Sequence, residues 1–468
     1  MKLETRNYME NYTKTLADFA EKLQYEDLPQ PVVEKTKMFI ADYYAACFAG
    51  YRVNRQFNKV TMDLIREEGG EPQASVLLEE KKYPVGNAAF MNAAYAHGAD
   101  MDDGNRKSAG HIGTHVISAV FALSEKRAAA WNGVIAAINV GYEFFNRIAG
   151  AAQPGLYNKG FHSTGVAGAM ACGAACAKLI GLGADGIYNA VSLAAIQSSG
   201  LIIIDESGQG CKPINPANAA RTGVLSALMA EKGLVSSRNP LESKKGWFQA
   251  FADVIDEKTL LDGLGKEFTI CESYLKLYPT CRHTHSCIDA ALGIRRQIFD
   301  KGYSRFVDIE RINVFIYPSA IKSAGSIRRP KTSDEAKFSI HYATALAFCR
   351  GGFGLEDLLP EDTDEQVDYL IERIALIADS SMENREKGIR GARVRVAMRD
   401  GTVFEEAVPI PKGEGNGSLT WMDLQKKMMD CSRNMIVEDM ARLFVENCKN
   451  INANDKFVSI WSLIKRKE

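Results

Sequence analysis

All seven histidines of this 468-residue chain lie between residues 97 and 341, in four short segments that also carry other ionisable residues or glycines. The imidazole side chain has an ordinary pKa near neutral pH, so histidine is the residue most often used to move protons in an enzyme. Loop-like segments of this kind indicate functional sites. The histidines are His97, His111, His115, His162, His283, His285 and His341.

The first segment, AHGADMDDGNRKSAGHIGTH, combines three aspartates with three histidines. Asp100, Asp102 and Asp103 fall within four positions at the predicted end of a helix. His111 follows in a loop with glycines on both sides. Clustered carboxylates bind Mg²⁺, so a divalent-metal site is one interpretation. Helix capping with loop hydrogen bonds is a second, and acid–base chemistry around His111 is a third. Spacing alone leaves all three open.

Two further segments place a histidine and a lysine directly before predicted helices. His162 stands in GFHSTG, with Ser163 or Thr164 as the candidate N-cap. A helix N-terminus favours anions and lowers the pKa of an adjacent histidine, which keeps the imidazole neutral. Lys212 lies in a loop with glycine and proline before a helix predicted from about Asn215, where an ammonium group could bind a carboxylate. The alternatives are a structural histidine and a solvated surface lysine.

The remaining two segments are more ambiguous. YLKLYPTCRHTHSCIDAAL gathers Lys276, Arg282 and two histidines, of which His285 is the second. On an extended strand, both histidines and two cysteines would share one face, which superficially suggests zinc. We do not expect zinc, because the segment turns into a helix and its spacing is not a recurrent zinc motif. In DEAKFSIHYATA, His341 and Tyr342 occupy a predicted helix with apolar neighbours, so core packing is expected for one of them.

The fold that positions these segments is predicted to be mostly α-helical. Apolar residues recur at three- and four-residue spacing through the first 260 residues, which predicts a multihelical domain. Beyond residue 268 the pattern predicts a strand over 311–320 and a hairpin over 392–410 that turns at Asp400 and Gly401. We therefore predict a large multihelical domain built from both chain ends, with an inserted smaller α+β lid domain. The predicted boundaries are 1–268, 269–411 and 412–468, with helices over 88–100, 114–128, 130–149, 163–181, 185–199, 215–233, 286–299, 334–350 and 364–375, and again from the loop PKGEGNGS to the end.

Composition narrows the class of protein. The 57 Lys and Arg residues nearly balance 58 Asp and Glu residues, which argues against a nucleic-acid partner. The most apolar helical stretch, residues 133–152, contains Glu143 and Arg147, which a bilayer core would penalise, so no membrane association is expected. The N-terminal residues lack the apolar run of a signal peptide, and the ten cysteines form no CxxC pair. These features predict a cytoplasmic protein with reduced thiols.

Taken in order, the five segments resemble the MmgE/PrpD family. Its marks are a DxDD segment with a following histidine loop, a GFHxTG motif, a lysine loop that opens a helix, a KxYPxC segment and an EAKFSxxY helix. The resemblance runs from about residue 14 to the end. It implies a helical domain with an α+β lid, a homodimer, a site between the domains, and no required metal or cofactor. It implies catalytic roles for His111, His162, Lys212 and Tyr342 and substrate binding by Asp100 and Lys276, to which we add Arg106, Arg282 and His285 as further substrate-binding candidates.

The resemblance implies a lyase, a dehydratase of a small hydroxy-polycarboxylate such as 2-methylcitrate. In that hypothesis one of His111 and His162 removes a proton beside a carboxylate, and the other protonates the leaving hydroxyl. The alternatives are an epimerase of a dicarboxylate such as iminodisuccinate, and a decarboxylase of a cis-aconitate-like acid. A metal-dependent enzyme that uses the aspartates and a non-catalytic helical interaction protein are more remote alternatives.

Three departures from the family pattern affect the choice of substrate. The family's DDTH or DDTW is replaced by Asp103 followed by Gly, Asn and Arg106, which removes a threonine hydroxyl and adds a guanidinium. The usual His-Pro is His111-Ile112. Cys281 stands where cis-aconitate decarboxylases carry a histidine. These changes weaken the transfer of decarboxylase activity, and they leave 2-methylcitrate itself open as the substrate.

Overall fold

The computed structural model describes residues 11–203, 210–304, 306–358, 365–384, 389–415 and 419–463, and the predicted mostly-α fold is confirmed. Most predicted helices appear within a few residues of their expected ends. The helices before residue 270 are α1 Tyr12–Lys22, α2 Gln30–Val53, α3 Arg55–Glu68, α4 Val85–His97, α5 Gly113–Arg127, α6 Trp131–Ala151, α7 Gly155–Asn158, α8 Ser163–Val166, α9 Gly168–Leu179, α10 Ala184–Ile196, α11 Ile214–Glu231, α12 Trp247–Phe251 and α13 Glu257–Leu261.

Later in the chain the helices alternate with strands. They are α14 Arg282–Asp300, α15 Pro318–Ala324, α16 Ser333–Lys337, α17 Ile340–Arg350, α18 Glu365–Arg373, α19 Trp421–Cys431 and α20 Glu438–Lys449. The strands are β1 Ala74–Ser75, β2 Lys82–Tyr83, β3 Ile309–Ile316, β4 Ile374–Ala378, β5 Glu383–Asn384, β6 Ile389–Arg390, β7 Ala392–Met398 and β8 Val403–Val408.

Small residues let the central helices approach one another closely. A Cβ atom on Gly50 of α2 would lie 1.8 Å from the carbonyl oxygen of Tyr95 in α4. Gly223 of α11 makes an equally close approach to α9, where an added Cβ would lie 2.1 Å from that of Cys172. Helices α4, α5, α6 and α9 are buried almost all round, as their apolar sequences predict. This packing fixes the end of α4, from which the loop with the three aspartates leaves.

The α+β part contains a four-stranded sheet in the order β4-β3-β7-β8. The predicted hairpin is confirmed as β7 and β8, and Gly401 takes a positive φ of 87° in its turn. Two predictions were wrong in detail. The strand predicted over 311–320 ends at Ile316, because Pro318 opens helix α15. The helix predicted to residue 375 ends at Arg373, and the apolar run that follows forms β4, which pairs in parallel with β3.

The C-terminal helices return to the helical part of the chain. Both α19 and α20 pack against α2, and Trp461 packs its ring edge-on against Tyr44. The prediction of helix to the end was wrong for residues 450–459, an asparagine-rich stretch of turn and coil, where side chains such as Asn452 bond to local backbone. The domain boundaries at 268 and 411 stay predictions. None of the described helices is long and apolar enough to cross a membrane.

Candidate active site

The loop after α4 carries three aspartates, and each binds a different set of partners. Asp100 takes a left-handed backbone conformation, with φ of 52°, and its carboxylate lies between two lysines. Oδ1 is 3.4 Å from Nζ of Lys212, and Oδ2 is 3.3 Å from Nζ of Lys276. Lys276 is 1% exposed and also donates to the Asp100 carbonyl oxygen at 2.6 Å. Although burial raises the pKa of the Asp100 carboxyl, the two ammonium groups hold it well below its usual range.

Asp102 lies between two histidines. Its Oδ2 is 2.8 Å from Nδ1 of His97, and its Oδ1 is 3.3 Å from Nδ1 of His111. Burial raises the pKa of this carboxyl, but the two imidazoles hold it well below its usual range, so it is ionised and accepts hydrogen bonds. His97 therefore donates through Nδ1, and burial lowers its pKa, which leaves Nε2 unprotonated.

Asp103 anchors a helix. Its Oδ1 accepts from the backbone N–H of Gly113, the first residue of α5, at 2.8 Å, and its Oδ2 accepts from the Tyr142 hydroxyl at 2.6 Å. Burial raises the pKa of Asp103 to about 7. The capping interpretation therefore describes Asp103, while Asp100 and Asp102 contact ionisable side chains.

His111 has its tautomer set by a backbone carbonyl. Nδ1 lies 2.8 Å from the carbonyl oxygen of Asp103, which can only accept, so Nδ1 carries the proton. In the neutral imidazole Nε2 then holds a lone pair, and this atom lies 3.7 Å from Oδ1 of Asp100. The side chain keeps 14% of its surface exposed, which is consistent with access for a small ligand. An imidazole in this state can accept a proton at Nε2.

His162 has the opposite tautomer. It precedes α8, as predicted, and is 3% exposed. Nδ1 lies 3.0 Å from Nδ2 of Asn215, an amide nitrogen that can only donate, so Nδ1 accepts and Nε2 carries the proton. Burial first, and then the nearby Lys212, hold the pKa of His162 well below its ordinary value. The imidazole is therefore neutral and presents a fixed Nε2–H.

These groups form one cluster. The His97 ring lies 4.8 Å from the ring of His111 and 5.9 Å from that of His162, between centroids. Five of the residues predicted from the sequence are brought together here, although up to 176 positions separate them along the chain. They are Asp100, His111, His162, Lys212 and Lys276.

The structure gives three of the predicted substrate-binding residues other partners. Arg106 forms a bidentate ion pair with Glu414. Arg282 donates to the same carboxylate at 3.2 Å, to backbone carbonyls of the 411–412 segment, and to Nδ1 of His285 at 3.0 Å. His285 is fully buried, and its Nε2 lies 3.4 Å from the carbonyl oxygen of Thr280. These contacts tie the segment around Arg282 to the 411–414 segment, and substrate binding by Arg106, Arg282 and His285 stays a prediction.

Tyr342, predicted to be catalytic, donates its hydroxyl to the carbonyl oxygen of Asp357 at 3.0 Å. Burial raises its pKa to about 12. To act on a substrate the hydroxyl would have to leave this bond, and the catalytic role of Tyr342 stays a prediction. Two other residues of the EAKFSxxY motif lie at the site. Lys337 donates to the Gly98 carbonyl oxygen at 3.2 Å, and the Phe338 ring lies 5.8 Å from Nζ of Lys212.

Four side chains of the cluster have the spacing of a metal site. His97, Asp100, Asp102 and His111 each offer a ligand atom, and these atoms lie within 4.8 Å of one another. The ammonium groups of Lys212 and Lys276 lie 3.4 and 3.3 Å from the Asp100 carboxylate. Their positive charge would repel a metal cation bound to that carboxylate. The charge arrangement therefore favours an anionic ligand beside the lysines.

Sequence reasoning missed two residues of the site as functional candidates. His97 was recognised as part of the first segment, but its bond to Asp102 five positions later was not. Asn215 was recognised only as a helix start. Its signal was the PINPAN sequence beside Lys212, since a polar side chain in the first turn of a helix faces whatever the preceding loop binds.

Two family models match successive parts of this chain. The MmgE/PrpD N-terminal domain model matches residues 14–258, and the C-terminal domain model matches residues 278–450. The chain is 26% identical over 455 residues to the cis-aconitate decarboxylase-like protein oryM of Aspergillus oryzae, covering 92% of this chain and 93% of the relative. It is 26% identical to a cis-aconitate decarboxylase of Aspergillus terreus over 87% of this chain and 86% of the relative.

The chain is also similar, over a shorter stretch, to a different enzyme. It is 27% identical over 206 residues to the alkylcitrate dehydratase phiI of Talaromyces stipitatus, which covers 42% of this chain and 43% of that protein. The two family models together span most of the chain, in the order expected from the five sequence motifs. The chain therefore belongs to the MmgE/PrpD family.

Proposed function

We propose that this chain is a lyase that acts on a small polycarboxylate without a bound metal or cofactor. The observation that carries the proposal is the pair of opposite tautomers at His111 and His162, set beside two lysines. His111 offers an unprotonated Nε2 that can take a proton and return it. His162 offers an N–H donor, and Lys212 and Lys276 supply positive charge for substrate carboxylates.

The leading reaction is dehydration of a hydroxy-polycarboxylate. Nε2 of His111 takes the proton from the carbon beside a carboxylate, and the electron pair moves into that carboxylate. The Nε2–H of His162 and the lysine ammonium groups stabilise the charge that builds there. The C–O bond of the hydroxyl then breaks, and the electron pair forms the carbon–carbon double bond.

The leaving hydroxyl also needs a proton, and His162 is poorly suited to supply it. A neutral imidazole that gives up its Nε2 proton becomes an anion, so His162 is better suited to a hydrogen bond than to proton transfer. We therefore change the hypothesis of two histidines that divide acid and base work. His111 returns the proton it took, and water leaves from the same face of the substrate as the hydrogen.

Decarboxylation of a cis-aconitate-like acid is the second candidate. It is favoured by the relatives that match over most of the chain, which are named cis-aconitate decarboxylases. The bond between a carbon and a carboxylate would break, CO₂ would leave, and its electron pair would pass into the remaining carboxylate system. His111, protonated at Nε2 from solvent before the reaction, would then deliver that proton to carbon. Decarboxylation uses the same residues as dehydration, but it starts from the protonated form of His111.

The test is turnover of purified protein with citrate, 2-methylcitrate, isocitrate and cis-aconitate. Absorbance of the new double bond reports dehydration, and release of CO₂ reports decarboxylation. Activity in either assay supports the lyase proposal, and the substrate identifies the reaction. Turnover of none of the four, together with epimerisation of iminodisuccinate, would replace it with the isomerase alternative.

Two further measurements test the metal requirement and the oligomeric state. Full activity after exhaustive chelation is expected, and loss of activity that returns with a divalent metal would establish a metal-dependent enzyme. We also propose that the chain forms a homodimer, which light scattering on the eluting protein would test.

A further inference from the structure

We propose that Asn215 is a positioning residue that sets the tautomer of His162, so that its Nε2–H is always available as a donor. The inference rests on the proposed lyase chemistry only for its effect on turnover. The tautomer itself is a property of the free protein and can be measured without any substrate.

The argument begins with the two bonds of one amide group. Nδ2 of Asn215 lies 3.1 Å from the carbonyl oxygen of Leu201 and 3.0 Å from Nδ1 of His162. A carbonyl oxygen only accepts, so the amide must turn its nitrogen and not its oxygen toward Leu201. The second hydrogen of the same nitrogen then points at His162. Nδ1 has to accept it, which leaves the ring proton on Nε2.

Close backbone packing brings Asn215 to His162. The His162 backbone N–H donates to the Gly200 carbonyl oxygen at 3.1 Å, which ties the histidine loop to the segment that Asn215 also contacts. A Cβ atom on Gly165 would lie 2.5 Å from the Ser199 carbonyl oxygen and 3.3 Å from Cβ of Asn215. The last glycine of GFHSTG is therefore required for this approach. Gly165 therefore has a packing role in the GFHSTG motif that the sequence alone did not predict.

The same helix turn also holds the lysine. The Asn215 backbone N–H donates to the Lys212 carbonyl oxygen at 3.2 Å, so both residues belong to one turn at the start of α11. The described charged and titratable groups that act on His162 are Lys212, His97, His111 and Asp100. A second proton on His162 would place an Nδ1–H against the amide N–H of Asn215. Asn215 thus opposes the imidazolium form directly.

The test replaces Asn215 with a residue that reverses the hydrogen bond. The carboxylate of Asn215→Asp accepts, so it should draw the ring proton to Nδ1 and leave Nε2 without one. Asn215→Ala removes the bond and leaves the tautomer unspecified. Nitrogen NMR of protein labelled at histidine distinguishes protonated from unprotonated ring nitrogens, and His162→Gln identifies the signal of His162.

Asn139→Asp is the matched control. Asn139 is a buried asparagine of α6 whose Nδ2 also donates to a backbone carbonyl and to another side chain, but these partners are Ile135 and Thr36 and not a histidine. We expect wild-type protein to show an unprotonated Nδ1 at His162, and Asn215→Asp to show a protonated one. The kcat should fall by about 10²–10³-fold in Asn215→Asp, less in Asn215→Ala, and little in Asn139→Asp, with smaller changes in KM.

A protonated Nδ1 in wild-type protein would overturn the inference, as would wild-type kcat in Asn215→Asp. If Asn215→Asp does not fold, the wild-type spectrum and Asn215→Ala still decide the question. A wild-type protein with the expected tautomer that turns over no polycarboxylate would contradict the proposed function and leave this inference standing.

Discussion

A buried lysine of the C-terminal segment is predicted to hold the active-site loops in place. Lys427 of α19 is 3% exposed and donates to three oxygens. They are Oδ1 of Asp42 at 2.5 Å, the Met101 carbonyl oxygen at 2.8 Å and the Lys276 carbonyl oxygen at 2.8 Å. One ammonium group thus joins α2, the aspartate loop and the Lys276 segment.

Lys427→Met keeps the apolar length of the side chain and removes the charge. It leaves the Asp42 carboxylate buried without its ammonium partner, which costs about 3–5 kcal/mol of unfolding free energy. Burial already raises the pKa of Asp42 to about 6, and Lys427 opposes this rise, so the pKa in the variant should be higher still. Because the folded-state pKa exceeds the unfolded value of 3.8, ionised Asp42 destabilises the native state as pH rises through the folded-state pKa.

The cost should therefore depend on pH. At pH 8 we expect the full loss, whereas at pH 5 the protonated carboxyl should leave only the two lost bonds to carbonyl oxygens, about 1–3 kcal/mol. Urea unfolding followed by circular dichroism at both pH values measures the difference. Lys426→Met changes the exposed neighbouring lysine and is the control. A loss in Lys427→Met that is below about 1 kcal/mol, or equal at both pH values, would refute this account of the ion pair.

Three further predictions address the site and its surroundings. Lys212→Ala should lower kcat/KM by at least about 10²-fold with little change in melting temperature, since Lys276 still pairs with Asp100; a large fall in melting temperature would instead indicate a structural lysine. In an NMR titration of Lys212→Met, the pKa of His162 should rise above its wild-type value, because a nearby cation that lowers it has been removed; an unchanged midpoint would contradict the electrostatic coupling. Arg282→Met should lower the melting temperature while KM stays near wild type, because Arg282 binds Glu414 and backbone carbonyls; a selective rise in KM would instead support its assignment to substrate binding.

Sequence patterns were enough to predict the helical class, most helix positions, the hairpin at Gly401 and the five segments that contain the candidate site. These are consequences of short-range patterns, since helix periodicity and turn residues act within a few positions. The sequence did not predict β4, because a short apolar run beside a helix becomes a strand only when a partner such as β3 lies next to it.

The partners of each side chain in the candidate site depend on tertiary packing. The three aspartates look alike in sequence, but Asp100 binds lysines, Asp102 binds histidines and Asp103 anchors α5. The tautomers of His111 and His162 likewise depend on which atom packing places against Nδ1. The hydrogen bonds of Asn215 with His162 and of Lys276 with Asp100 join residues 53 and 176 positions apart. Their geometry depends on how the helices pack, which local sequence patterns do not specify.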